Sequence, residues 1–151
     1  MAKLRIYLDN CSYNRPFDDQ TQIKVALETE AKRHIQRLIT EKVIDLACSY
    51  VNRFENDKNP HPANRKSINE FFKNAAVYID HTYSHSIEKR AVAIRQSGIK
   101  TADAFHLSGA IEGSCDYFIT TDKPLLKFTD SKIIVCNPVQ FIDYMEEQKN
   151  A

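Results

Sequence analysis

The stretch TADAFHLSGAIEGSCDYFITTD, residues 101–122, decides the fold. Thr101 reads as a helix N-cap, which puts Asp103 in the first turn of a helix carrying Ala104, Leu107, Ala110 and Ile111 on its buried side and stopping near Gly113. Tyr117, Phe118, Ile119 and Thr120 then read as a strand that delivers Asp122 at its C-terminal end. In an open α/β sheet the ligand crevice lies outside the carboxyl ends of the strands. Asp122 falls on that edge, and Asp103 can join it from a helix start.

Working outward, SIEKRAVAIRQSG (86–98) predicts a helix stopped by Gly98, and AAVYID (75–80) a short extended segment. Residues 62–73 predict another helix. The segment SYVNRFEND (49–57) predicts a short helix with Glu55 in its last turn, ended by the two prolines of NPHP. Residues 42–48 read as a strand, and Ile23, Leu27, Ala31, Ile35, Leu38 and Ile39 mark a long amphipathic helix over about 21–41. NRPFDDQ reads as a loop before it. Leu4 to Leu8 form an opening strand that stops at Asp9, Ile133 to Cys136 a last strand, and Pro138 opens a final helix. Strands separated by helices require right-handed crossovers. The expected architecture is α/β: a three-layer α/β/α sandwich with a central parallel sheet, formed by residues 1–151 as one domain.

Carboxylates gathered at one sheet edge repel one another unless a hard cation neutralises them, and oxygen-only ligands point to Mg²⁺ or Mn²⁺. Taken singly, each acid has an ordinary explanation. Asp9 suits a turn and Asp103 complements a helix dipole. Periodicity alone does not bring Asp9, Glu55, Asp103 and Asp122 together in space.

The strand ending in YLDN, the segment SYVNRFEN, the block IKTADAFHLSGA and the strand YFITTD together resemble the PIN-domain family over nearly the whole chain. The resemblance implies a PIN-like fold and a Mg²⁺- or Mn²⁺-dependent endoribonuclease, with Asp9, Glu55, Asp103 and Asp122 as catalytic and metal-binding acids. All four are present. Glu28, Glu30 and Glu41 are alternatives for the helix glutamate. The resemblance further implies the toxin of a type II toxin–antitoxin pair, acting on RNA and held by a small antitoxin protein, with a homodimer as a possible assembly. A housekeeping RNA-processing nuclease and an inactive PIN-like nucleic-acid-binding module are the alternatives. Arg15 in NRPFDDQ is a candidate phosphate contact, and Thr121, with Thr120, a candidate for holding substrate or orienting the neighbouring carboxylate.

Composition narrows the classes. Lys and Arg number 21 against 20 Asp and Glu, so a net charge of +1 gives no global basic footprint, and any attraction for phosphate is local. Only three glycines occur, and none forms a phosphate-binding loop. No apolar run is long enough for a membrane span, and MAKLRIYLDN lacks a signal-peptide pattern, so a cytoplasmic protein without membrane contact is expected. Cys11, Cys48, Cys115 and Cys136 are scattered and read as reduced packing thiols. His81 and His85 have HxxxH spacing but no third zinc ligand nearby, and His106 reads as a packed helix residue rather than a general base.

Overall fold

A computed structural model describes residues 3–80 and 84–149. Five strands, β1 (Arg5–Leu8), β2 (Asp45–Ser49), β3 (Val77–Ile79), β4 (Tyr117–Ile119) and β5 (Ile134–Cys136), form one sheet in the order β3-β2-β1-β4-β5. Every pairing between them is parallel. The helices are α1 (Asn10–Asn14), α2 (Ile23–Thr40), α3 (Tyr50–Asp57), α4 (Pro62–Phe72), α5 (His85–Arg95), α6 (Thr101–Glu112), α7 (Lys123–Leu126) and α8 (Pro138–Lys149). The expected three-layer α/β/α sandwich is what the chain forms.

Strand alternation builds the two cores. Ile6, Leu8, Leu46, Cys48, Tyr117 and Ile119 face α2, α4 and α8 through Ile35, Ile39, Phe72 and Phe141. Tyr7, Ala47 and Phe118 face the other way, onto Ile87, Ala91 and Ile94 of α5 and Leu107 and Ala110 of α6. Small residues on α6 let that helix lie close to the sheet. Gly113 shows how close, because a Cβ there would stand 2.6 Å from Ile79 Cδ1.

Several local expectations shift. The helix at 101 starts at Thr101 itself, with Lys100 as N-cap and no side-chain cap bond, so Thr101 is not the cap. Residues 10–17 are helical, in part where NRPFDDQ (14–20) is expected as a loop: Asp9 caps α1 by accepting from the Asn10 backbone N–H, and a 3-10 turn (Arg15–Phe17) tolerates Pro16 in its first turn. α2 begins at Ile23 rather than near Thr21. Residues 42–44 are not strand, because Lys42 adopts φ 61° and the Val43 N–H returns to the Leu38 carbonyl. The extended segment at 75–80 pairs with β2 as edge strand β3, and α7 follows Asp122 in a stretch for which the sequence predicts no element. Among the described residues no helix is long and apolar enough to cross a membrane.

Candidate active site

The strand order reverses at β1, where the chain first winds toward β3 and then returns to place β4 on the other side. That switch point opens a crevice at the carboxyl ends of β1 and β4. Asp9 follows β1 directly, and its N–H extends the ladder to the Ile119 carbonyl at 2.9 Å. Asp122 follows β4 two residues further on and starts α7, without spending its carboxylate on the cap.

Asp9 is buried and held at both oxygens. Oδ1 accepts from the Asn10 N–H at 2.7 Å, while Oδ2 accepts from the Thr120 hydroxyl at 2.9 Å and the Cys11 thiol at 3.3 Å. Thr120 in turn accepts from the Asp122 N–H at 3.1 Å. Of the two threonines beside Asp122, it is therefore Thr120 that orients a carboxylate, and the carboxylate is that of Asp9. Thr121 is 7% exposed, and its N–H donates to Cys11 Sγ at 3.3 Å. Burial and then the Asp9 charge push the Cys11 thiol up to about 12, so it donates to Asp9 as a neutral S–H.

Glu55 reaches the crevice because α3 is stitched to the start of the chain. Ser49 and Asn52 form a capping box on α3, and Asn52 Nδ2 also donates to the Leu8 carbonyl and to Asn10 Oδ1 at 3.0 and 2.8 Å. Asn10 answers through its own Nδ2 to the Asn52 carbonyl at 2.9 Å. These contacts fix the first turn of α3 against the end of β1 and the start of α1, and Glu55 lies three residues beyond Asn52.

His106, fully buried on α6, ties the acids together. Its Nε2 lies 2.5 Å from Glu55 Oε1 and 3.6 Å from Asp9 Oδ1. Its Nδ1 bonds the Tyr7 hydroxyl, which also sits 2.5 Å from Ser49 Oγ. Burial lowers the imidazole pKa, but the Glu55 hydrogen bond and the charges of Asp9, Glu55 and Asp103 outweigh it and leave the pKa raised. When protonated, His106 would donate from both nitrogens, and Tyr7 would then turn its own proton toward Ser49. Packing fixes the ring, since Tyr7 meets it edge-on and stacks on Phe118 at 5.2 Å. The polar role of His106 was missed in the sequence reading. The available signal was its place at i+3 from Asp103, on the same helical face.

Asp103 completes the group. Burial and then the charge of Asp9 push its carboxyl up to about 6; His106 opposes the rise, and Asp122 and Glu55 add to it. The structure thus brings Asp9, Glu55 and Asp122 each within electrostatic reach of Asp103. Among the described residues, no lysine or arginine forms an ion pair with any of them.

An all-oxygen donor set with excess negative charge suits Mg²⁺ or Mn²⁺. Among the described residues no three His, Cys, Asp or Glu side chains stand close enough to hold one ion outright. That spacing fits magnesium, which keeps several waters and takes one or two carboxylates plus substrate phosphate. The raised Asp103 carboxyl marks the charge deficit such an ion would relieve.

The remaining candidates lie elsewhere. Arg15 donates to Glu28 Oε1 from Nε at 3.1 Å and Nη2 at 2.9 Å, and to Asp18 at 2.9 Å, so a phosphate would compete with two carboxylates for it. Glu28 is occupied by that pair, whereas Glu55 is the glutamate on the acid cluster. His85 is the exposed first residue of α5, and His81 lies outside the described residues.

No protein-family model and no curated protein matches the chain by sequence. Among solved structures that match is VapBC2 from Rickettsia felis bound to a DNA fragment from their promoter, at a TM-score of 0.55 and 16% identity, covering 89% of this chain and 98% of that one. At that identity the likeness is one of fold, and with the parallel five-stranded sheet it bears out the PIN-like architecture.

Proposed function

We propose that this chain is a PIN-domain endoribonuclease that uses Mg²⁺ or Mn²⁺ to hydrolyse RNA phosphodiester bonds. The observation that carries the reading is the placing of Asp9, Glu55 and Asp122 within electrostatic reach of Asp103 at the sheet's switch point, with the buried imidazole of His106 against Asp9 and Glu55. One or two of Asp9, Asp103 and Asp122 would bind the cation directly and the rest through its waters, with Glu55 beside them. When bound, the cation would stabilise developing charge on the phosphoryl oxygens and lower the pKa of water. Thr120 and the Asn10 N–H keep the Asp9 carboxylate aimed while substrate enters. His106 occupies Glu55 Oε1, which leaves Oε2 to orient the attacking water in line with the scissile bond. Water adds across the P–O bond, and one fragment keeps the phosphate while the other leaves with a hydroxyl.

The cellular role proposed is that of a type II toxin held by a small antitoxin protein. What supports it is the likeness of fold to VapBC2, a solved neighbour bound to a DNA fragment from their promoter. The test is cleavage of RNA by purified protein with Mn²⁺, with chelator, and with Asp103→Asn in Mn²⁺. Cleavage in the first alone is expected; equal cleavage in all three would overturn the proposal. Induced expression should arrest growth, with relief by a neighbouring small reading frame. Unimpaired growth with an active nuclease would favour housekeeping RNA processing.

A further inference from the structure

An acidic crevice repels a polyanion, and a net charge of +1 provides little steering. Affinity for a nucleic-acid strand must then come from beside the acids, through contacts that do not depend mainly on charge. The outer face of α3 offers them. Tyr50 and Phe54, one turn apart, stack with centroids 6.1 Å apart and planes 21° from parallel. They leave 46% and 45% of their surfaces exposed, and Tyr78 on edge strand β3 leaves 49%. Together with Arg53 and Asp57 these rings line a shallow groove of about 260 Å³.

Cations sit on the rings. Lys58 Nζ lies 4.2 Å from the Phe54 centroid, and the Arg53 guanidinium lies 5.8 Å from that of Tyr78. Among the described residues neither cation is ion-paired with a carboxylate, although Asp57 borders the groove. Successive helical residues point about 100° apart, so the Phe54 face adjoins the face from which Glu55 reaches His106.

We propose that Tyr50, Phe54 and Tyr78, with Arg53 and Lys58, form a stacking platform for unpaired RNA bases where the strand leaves the acid crevice. This rests on the nuclease reading of that crevice. Aromatic faces accept any base, and cations beside them that no carboxylate neutralises meet the backbone phosphates, which is how single strands are held without sequence preference. A duplex keeps its bases stacked internally and gains none of this.

The test is fluorescence anisotropy with a labelled single-stranded RNA in chelator, where binding is read without cleavage. Tyr50→Ala and Phe54→Ala should each weaken binding about 5- to 150-fold, the range for one lost base stack. Phe54→Leu should behave like Phe54→Ala, because it keeps the bulk and loses the ring. Phe17→Ala, on the separate 3-10 turn, should bind as the parent does. Replacing Arg53 and Lys58 together by Gln should flatten the slope of log affinity against log salt by about 1.4, at about 0.7 per phosphate contact. Parent-like affinity in folded Phe54→Ala overturns the platform, as does loss of self-association in place of RNA binding, which would make the patch a protein interface. Cleavage in Mn²⁺ is scored separately. RNA bound through the patch but never cut sinks the nuclease reading alone, whereas unchanged KM in an active Phe54→Ala sinks the platform alone.

Discussion

Glu28 on α2 and Asp9 at the end of β1 are both buried carboxylates, yet the chain treats them in opposite ways. Glu28 is 2% exposed and receives two guanidinium nitrogens of Arg15, which also pairs with Asp18. Asp9 receives a backbone N–H, a hydroxyl and a thiol, all neutral, and shares one imidazole with Glu55. Three more acids stand near Asp9, and one of them, Asp103, is pushed up to about 6. A chain with 21 Lys and Arg has the means to neutralise that edge as it neutralises Glu28, and it does not. The acid that builds structure carries its own cation; on the proposed reading, the acids at the switch point would take one from solution.

Crossing the two regions gives the largest expected effect. Glu28→Gln should leave Arg15 with only Asp18 and cost about 2 to 4 kcal/mol, a melting point lower by about 4 to 16 °C, because breaking a buried pair strands its partner. RNA cleavage below that melting point should persist. Asp9→Asn should do the reverse, abolishing Mn²⁺-dependent cleavage while changing stability by no more than about 1 kcal/mol, since Asn still accepts at the α1 cap. If Asp9→Asn melts as early as Glu28→Gln, the contrast between the regions collapses.

His106 sharpens the comparison, because among the described residues it is the basic side chain that touches both Glu55 and Asp9. Groups that aim a metal-binding carboxylate are worth about 10- to 100-fold in activity. His106→Gln should therefore lower kcat by about that factor and leave KM for RNA unchanged, since the ring is buried away from substrate. Tyr7→Phe, which removes only the hydroxyl between His106 and Ser49, should cost several-fold less. A folded His106→Gln with parent kcat would return His106 to the packing role that its helical position suggested.

That case shows where sequence reading stops. Short apolar runs at RIYL and YFI, and small residues on the TADAFHLSGA helix, were enough to place β1, β4 and α6 and to put Asp9 and Asp122 on one edge, because burial and handed crossovers leave few arrangements. The links between elements far apart in sequence were not legible. Nothing local in NCSYN announces that Asn10 will bond Asn52, or that Cys11 and Thr120 will share Asp9. Val77–Ile79 offers too short a run to mark an edge strand, and its pairing with β2 comes from the sheet rather than from its own residues. Arg15 was read as available for phosphate because Glu28, thirteen residues on, approaches it only after α2 folds back.

The smallest expected effect concerns Asp103, where the sign depends on pH and on metal. Burial and then the neighbouring Asp9 push its carboxyl up to about 6, with His106 opposing and Asp122 and Glu55 assisting. An unfolded aspartate titrates near about 3.9. Between about pH 4 and pH 6 the folded chain thus binds more protons than the unfolded one, so this group's contribution to stability falls as pH rises and stays lowered above about 6. Asp103→Asn removes that loss. In chelator at pH 7 the variant should equal or slightly exceed the parent, by well under about 1 kcal/mol because the half-buried site is screened by solvent. At pH 4 the difference should vanish. With Mn²⁺ at ten times its Kd the order reverses: the parent gains about 1.4 kcal/mol by mass action, or about 3 to 6 °C in Tm, and the variant gains much less. Melts of both proteins at pH 4 and 7 in chelator, and at pH 7 in Mn²⁺, decide it. Equal metal-induced shifts would show that Asp103 holds no cation, and a variant destabilised in chelator at pH 7 would move Asp103 to the Glu28 side of the comparison, as an acid that stabilises the start of α6.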